Sequence, residues 1–207
     1  MEIEIRKFNR FTTLPFLIDM LNSKTLTLLN PNYWEDYNDR ETMETYRKKT
    51  KAKSIYALCL TCENETIHHW NAFANGTSGC CIEFSPNKLI AILEKENISH
   101  KKTEYIRIKD LIKLKISTEQ LPYIKRHPFK AENEYRIIVT SEKEQKSIFE
   151  IDIDLEIIRH ITLSNKMPKK VYESNKIMLL KIAPQLKGKI NHSTLYENSN
   201  WISHFQK

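Results

Sequence analysis

Glycine is nearly absent from this chain of 207 residues: three occur, at positions 76, 79 and 188. A glycine-rich phosphate loop needs several within a few positions, so the dinucleotide-binding fingerprint and the P-loop are both excluded. Long apolar runs are lacking too, and nothing approaches the ~20 residues of a membrane-spanning helix. Met1-Glu2-Ile3-Glu4 is acidic where a secretory leader carries positive charge. No signal peptide is expected there, and a cytoplasmic location is. Cysteine is sparse, with four in all. Cys59-Leu60-Thr61-Cys62 has CxxC spacing and Cys80-Cys81 are adjacent, but adjacent cysteines rarely both ligate one zinc. Reduced, buried thiols are the expectation, with no metal site. Patterns of the HExxH and EF-hand types are missing as well.

What is present has the balance of a folded protein, 40% hydrophobic and 29% charged, which suits one domain over residues 1–207. The net charge is +7. Basic residues gather at Arg47 to Lys53, Lys101-Lys102, Lys125-Arg126 and Lys166 to Lys170. Such a surface suits nucleic acid, although aromatics do not interleave with it as they do in single-strand binders.

Periodicity predicts a short strand in Met1 to Lys7 and a helix over Leu14 to Leu21, capped by Thr12 or Thr13. A strand at Thr25 to Leu29 ends at Asn30-Pro31-Asn32. A polar loop from Trp34 to Asp39 leads into a helix through Lys49. Strands follow at Ser54–Leu60 and Cys80–Phe84, around a short helix at Glu65–Phe73 and a turn at residues 75–79. Further on come a helix at Pro86–Glu94, an extended piece at Tyr105–Ile108 and a helical turn at Leu121–Arg126. Strands are expected from Glu132, at Ser147–Ile153 and at Ile157–Leu163, then a helix at Lys169–Ile182 and an irregular tail. Strands adjacent in sequence with interspersed helices indicate an α+β fold with a largely antiparallel sheet and flanking helices.

The densest polar pattern is Glu132-Asn133-Glu134-Tyr135-Arg136, before the β-branched run Ile137-Ile138-Val139-Thr140. Side chains in a strand repeat every two residues, so Glu132, Glu134 and Arg136 are expected on one face, neighbours ~6–7 Å apart. Ionised groups at the mouth of a buried strand are costly unless paired or used. Two readings stand open, a Glu–Arg ion pair at a solvated strand end and a functional face. Other polar–aromatic clusters occupy element boundaries: Asn9-Arg10-Phe11-Thr12, Trp34 to Asp39, and His68-His69-Trp70. Asp36, Asn38 and Asp39 can equally cap a helix, and Trp34 and Trp70 can be core residues.

In order, Arg10-Phe11-Thr12, Trp34-Glu35-Asp36-Tyr37-Asn38-Asp39, Cys59-Leu60-Thr61, His69-Trp70…Phe73…Gly79 to Phe84, and Lys125…Phe129…Glu132-x-Glu134-x-Arg136 resemble the bacterial domain-of-unknown-function family 2971. The resemblance runs over roughly residues 8–165, with Phe129 where that family often has Trp. A more distant likeness, of layout alone, is to ADP-ribosyltransferases. That likeness implies an enzyme that cleaves the nicotinamide–ribose bond of NAD and modifies a nucleic acid or a protein. It assigns Glu134 as the catalytic carboxylate and Glu132 as its partner or acceptor activator. Arg10 or Arg136 would anchor the phosphates, Lys125 would assist, and Trp70 would stack on the nicotinamide. Arg10, Trp70, Glu132, Glu134 and Arg136 are expected to line one pocket, since small-molecule sites gather convergent polar groups. Two alternatives remain. One is a metal-dependent phosphodiesterase using Asp36, Asp39, Glu132 and Glu134. The other is a non-catalytic nucleotide- or phosphate-binding module using Arg10, Lys125 and Arg136.

Overall fold

The computed structural model describes residues 5–143 and 146–206. Most of the segment expected as an N-terminal strand lies outside the described residues, and the first strand is β1, Phe8–Thr13. It runs into α1 (Leu14–Ser23), which carries a proline in its first turn and ends at Lys24, a left-handed residue with φ 55°. Thr13 occupies the N-cap position but makes no side-chain cap. After β2 (Thr25–Leu29) comes α2 (Tyr37–Thr50). Asp36 Oδ1 caps α2 by accepting from the backbone N–H groups of Asn38 at 3.0 Å and Asp39 at 3.4 Å. Next are β3 (Ser54–Thr61), α3 (Ile67–Phe73) and β4 (Gly79–Phe84). Then follow α4 (Pro86–Lys95), β5 (Ser99–Lys102), β6 (Glu104–Ile106) and a 3-10 segment at Ile108–Lys113. β7 (Ile124–Arg126) and a 3-10 segment at His127–Glu132 lead into β8 (Glu134–Ser141). The chain finishes with β9 (Ile148–Asp152), β10 (Ile158–Leu163), α5 (Lys169–Ile182), β11 (Ile190–His192) and α6 (Ser199–His204). The fold is α+β, with mostly antiparallel strands and flanking helices. No helix among the described residues is long and apolar enough to cross a membrane.

The chain forms two compact units, each assembled from separated segments. One comprises residues 1–24, 63–86 and 153–207. Its strands lie in the order β11-β10-β4-β1, antiparallel except for the β10–β11 pair. Phe8 faces Phe84 across β1–β4, and both are fully buried with Ile82, Ile158, Ile161 and Leu163. Leu17, Met20 and Leu21 of α1 supply that core through the i, i+3, i+4 spacing of an amphipathic helix. Gly79 opens β4 because nothing larger fits: a Cβ there would lie 1.9 Å from the carbonyl oxygen of Ala74.

The other unit comprises residues 25–62 and 87–152. Its strands run β9-β2-β3-β8-β5, all antiparallel, and β6 and β7 form a small parallel pair. β3 is flanked on both edges and all but one of its residues are buried, which is why it reads as an unbroken apolar run. Met43 of α2 packs with Ile55, Ala57, Tyr123 and Ile138, and Trp34 and Tyr46 lean on that cluster.

Candidate active site

The polar face predicted around Glu132 exists, but it is built differently. β8 starts at Glu134. Glu132 ends the preceding 3-10 segment, and Asn133 between them is left-handed at φ 42°. Asn tolerates that conformation better than most residues. Strand alternation therefore unites Glu134 with Arg136, and the Asn133 turn brings Glu132 to them. Register with β3 sets Glu134 opposite Thr61 and Arg136 opposite Cys59. The Glu134 N–H donates to Tyr105 Oη at 2.8 Å, and its carbonyl accepts from Thr103 N–H at 2.9 Å.

Arg136 is completely buried. Its Nη1 and Nη2 grip the Asp39 carboxylate at 2.9 and 2.6 Å, a bidentate pair. Nη1 also donates to the Pro122 carbonyl at 3.1 Å, and Nε donates to Glu134 Oε2 at 2.8 Å. Nη2 lies 2.6 Å from the same Glu134 oxygen, and the Trp34 ring centre is 5.3 Å from the guanidinium carbon. Lys125 reaches the other side of the cluster. Its Nζ is 2.5 Å from Glu132 Oε2, 3.1 Å from Glu134 Oε1 and 3.7 Å from Asp39 Oδ2. Phe129 lies beneath the ammonium, its centroid 4.7 Å away. Here Phe serves the cation through its ring face, which needs no hydrogen-bonding group.

Three carboxylates thus meet two cations. Burial raises the Glu132 pKa to about 7, and neighbouring Glu134 adds to the rise against the pull of Lys125. Burial also acts to raise Glu134, but Arg136 and Lys125 outweigh it and hold that group down at about 2. The two carboxyls are thus pushed in opposite directions, Glu132 above the ordinary carboxylate range and Glu134 below it. Environments that split two carboxyls in this way mark acid–base division of labour.

Sequence reasoning assigns Arg136 to a phosphate, but the structure commits its guanidinium to Asp39, Glu134 and Pro122. A fully buried, saturated Arg orients its carboxylate partners instead. Trp70 is a core residue, 4% exposed, packed with Phe11, Ala74 and Cys81. It has no free ring face to offer a nicotinamide. Arg10 and Phe11 are consecutive on β1, so they point to opposite sides of it. Phe11 stands edge-on to Trp70 at 5.4 Å, so Arg10 and Trp70 do not share a face and are not brought together. Arg10 is half-buried, and its side chain has no hydrogen-bond or ion-pair partner among the described residues. Burial lowers its pKa from the ordinary value. It belongs to the unit of β1 and β4, whereas Lys125, Glu132, Glu134 and Arg136 belong to the unit of β3 and β8.

For the metal-dependent alternative, Asp39 is held by Arg136, Glu132 and Glu134 are held by Lys125, and one oxygen of Asp36 caps α2. Among the described residues no group of three or more His, Cys, Asp or Glu could hold a metal ion. All four cysteines are free thiols, with Cys80 and Cys81 buried and Cys59 and Cys62 half-buried. Asp39 is the residue that sequence reasoning places in the wrong role. It lies 97 positions from Arg136, and no local pattern signals that pair.

No curated protein matches this chain. Among solved structures it is similar to Thermus sp. 2.9 DarT in complex with carba-NAD+, at 11% identity and a TM-score of 0.42. That likeness covers 93% of this chain and 97% of the other. A likeness so remote does not speak to activity. Residues 69–137 match the family described as "Protein of unknown function (DUF2971)". The match takes in His69-Trp70 and the Glu132-x-Glu134-x-Arg136 motif and leaves outside it the Arg10, Trp34–Asp39 and Cys59 segments, so it is narrower than residues 8–165. Over residues 69–137, then, this chain resembles the DUF2971 family.

Proposed function

We propose that this protein cleaves the nicotinamide–ribose bond of NAD and transfers ADP-ribose to a nucleic acid or protein acceptor. The observation that carries the reading is the split carboxyl pair, Glu132 and Glu134, bridged by one ammonium. Breaking the bond between the ribose C1′ and the nicotinamide nitrogen sends the electron pair to the nicotinamide, which leaves neutral. The ribosyl group becomes an oxocarbenium-like cation, and the Glu134 carboxylate lowers its energy, as carboxylates do in glycoside hydrolysis. An acceptor O–H or N–H then bonds to C1′ and gives its proton to Glu132, whose pKa near 7 suits that transfer. Arg136 and Asp39 position Glu134, and Lys125 keeps the two carboxyls together.

The test is release of nicotinamide from NAD in the presence of nucleic acid or protein extract. Wild type is expected to release it, and Glu134→Gln and Glu132→Gln to do so ~10²-fold more slowly. Both variants are checked for folding by circular dichroism. Absence of release by wild type, or wild-type rates in a folded Glu132→Gln protein, overturns the reading.

A second reading has its own observation, the saturation of buried Arg136. On that reading the cluster is an internal brace without chemistry. It predicts that Glu132→Gln changes stability and leaves every turnover assay unmoved.

A further inference from the structure

The outer edge of β9 is unpaired. β9 ends the order β9-β2-β3-β8-β5, and β2 is its only strand neighbour among the described residues. A row of free backbone N–H and C=O groups is a template for one more strand. Alternation divides the side chains of β9 between two faces. Ile148, Glu150 and Asp152 share one face and are exposed, whereas half-buried Phe149 and buried Ile151 share the other. Phe149 to Asp152 also line a cavity of about 420 Å³, together with Glu96. Among the described residues that line it there are three carboxylates and no Lys, Arg or His, in a chain of net charge +7.

These charges select the strand that can add. A second β9 would set Glu150 and Asp152 against their own copies, and like charges directly opposite are destabilising. A strand with cations on that face and apolar side chains on the other is complementary. The chain holds such a segment itself, Lys113-Leu114-Lys115-Ile116. When extended, it puts Lys113 and Lys115 on one face and Leu114 and Ile116 on the other. The segment is accessible: both lysines are exposed, Leu114 is 46% exposed and the preceding Ile112 94%. Leu114 already has extended backbone, at φ −98° and ψ 132°. Neither Lys115 nor Ile116 makes a hydrogen bond among the described residues, so their backbone groups are available to a ladder.

We propose that the protein self-associates by strand addition, with Lys113–Ile116 of one copy lying along the outer edge of β9 of a second copy. The lysines meet Glu150 and Asp152, and Leu114 and Ile116 lie on the side of Phe149 and Ile151. Glu150 Oε1 accepts from Thr25 Oγ1 at 3.2 Å, so the lysine takes the other carboxylate oxygen. Two such contacts related by a twofold axis close the assembly as a dimer. Each contact involves only a few residues, so the association is expected to be weak and dependent on concentration. The inference stands apart from the proposed activity and does not require NAD.

Sedimentation velocity of the full chain, from dilute to near-millimolar concentration, tests it. Wild type is expected to pass from monomer towards dimer as concentration rises, and added salt to oppose that shift. Two charge-reversed proteins follow, one with Lys113→Glu and Lys115→Glu, the other with Glu150→Lys and Asp152→Lys. Each should weaken the dimer by about ten-fold or more, because attractive cross-strand pairs become repulsive ones. Circular dichroism checks that both are folded. An equimolar mixture of the two should regain the wild-type dimer, since each then offers the segment that the other's β9 accepts. Loss of folding or a general change in solubility would not produce that recovery. Three results overturn the proposal: wild type that stays monomeric throughout, a dimer unmoved by both sets of reversals, or a mixture that recovers nothing.

Discussion

At the residue scale, Arg136 ties the local structure together. Removing one partner from a buried ion cluster leaves uncompensated charge, a loss of about 3–5 kcal/mol. Arg136→Ala strips partners from both Asp39 and Glu134, so it is expected to lower unfolding stability in urea by that amount, or to prevent folding. Arg136→Lys is expected to rescue only part, because an ammonium cannot grip Asp39 bidentately. Glu134→Gln is expected to cost stability as well as turnover, contrary to what an exposed strand end implies. Its carboxylate contacts both Arg136 and Lys125. Glu132 imposes a pH dependence of definite sign. Its folded pKa of about 7 lies above the ~4.3 of an unfolded Glu, so its contribution to stability is complete below pH ~4.3. That contribution is lost as pH rises through 7. Wild type is therefore expected to lose thermal stability between pH ~4.3 and 7, and Glu132→Gln to flatten that slope. Glu134 acts oppositely, because its depressed pKa makes its contribution disappear as pH falls from ~4.3 towards 2. Differential scanning fluorimetry from pH 3 to 8 separates the two.

At the element scale, the strands rich in β-branched residues are legible. β3 follows its expected range because a buried strand writes itself as an apolar run, and β10 follows its own within a residue, its apolar Ile158, Ile161 and Leu163 buried and Arg159 and His160 exposed. β5 is not, since Ser99-His100-Lys101-Lys102 has no apolar alternation. It is a strand because β8 presents an edge from Tyr135 to Ile138, a tertiary cause that propensity cannot announce. α6 is likewise hidden in a tail that reads as irregular, where Asn198 caps it by accepting from Trp201 N–H at 3.0 Å. Strand alternation alone does not account for Glu132 meeting Glu134, because Asn133 turns the chain where a straight strand is expected. Asn133→Val is thus expected to destabilise by ~1–2 kcal/mol, whereas Asn133→Gly is tolerated, as chemical denaturation will show. Gly79→Ala is expected to cost more, ~2 kcal/mol or above, since its methyl meets backbone rather than a yielding side chain.

At the scale of the whole molecule, neither compact unit is a continuous stretch of sequence. Residues 87–152 carry β5, β8 and β9 but lack β2 and β3, to which β9 and β8 are hydrogen-bonded. They also lack Asp39. A fragment of residues 87–152 is expected to be unfolded by circular dichroism, and co-expression with residues 25–62 to restore strand signal. The interleaving also dictates an order of events on the ribosome. The unit of β3 and β8 has all its strands once Asp152 has emerged. In the other unit, β4 pairs early with β1, but its second edge stays bare until Ile158 to Leu163 have been made. Through that interval Cys80, Cys81 and Ile82 lie beside an unsatisfied ladder of backbone groups, a template for a neighbouring nascent chain. Slow translation between residues 84 and 158 would lengthen that exposure, so yield should depend on the pace of synthesis there more than on the stability of the finished fold.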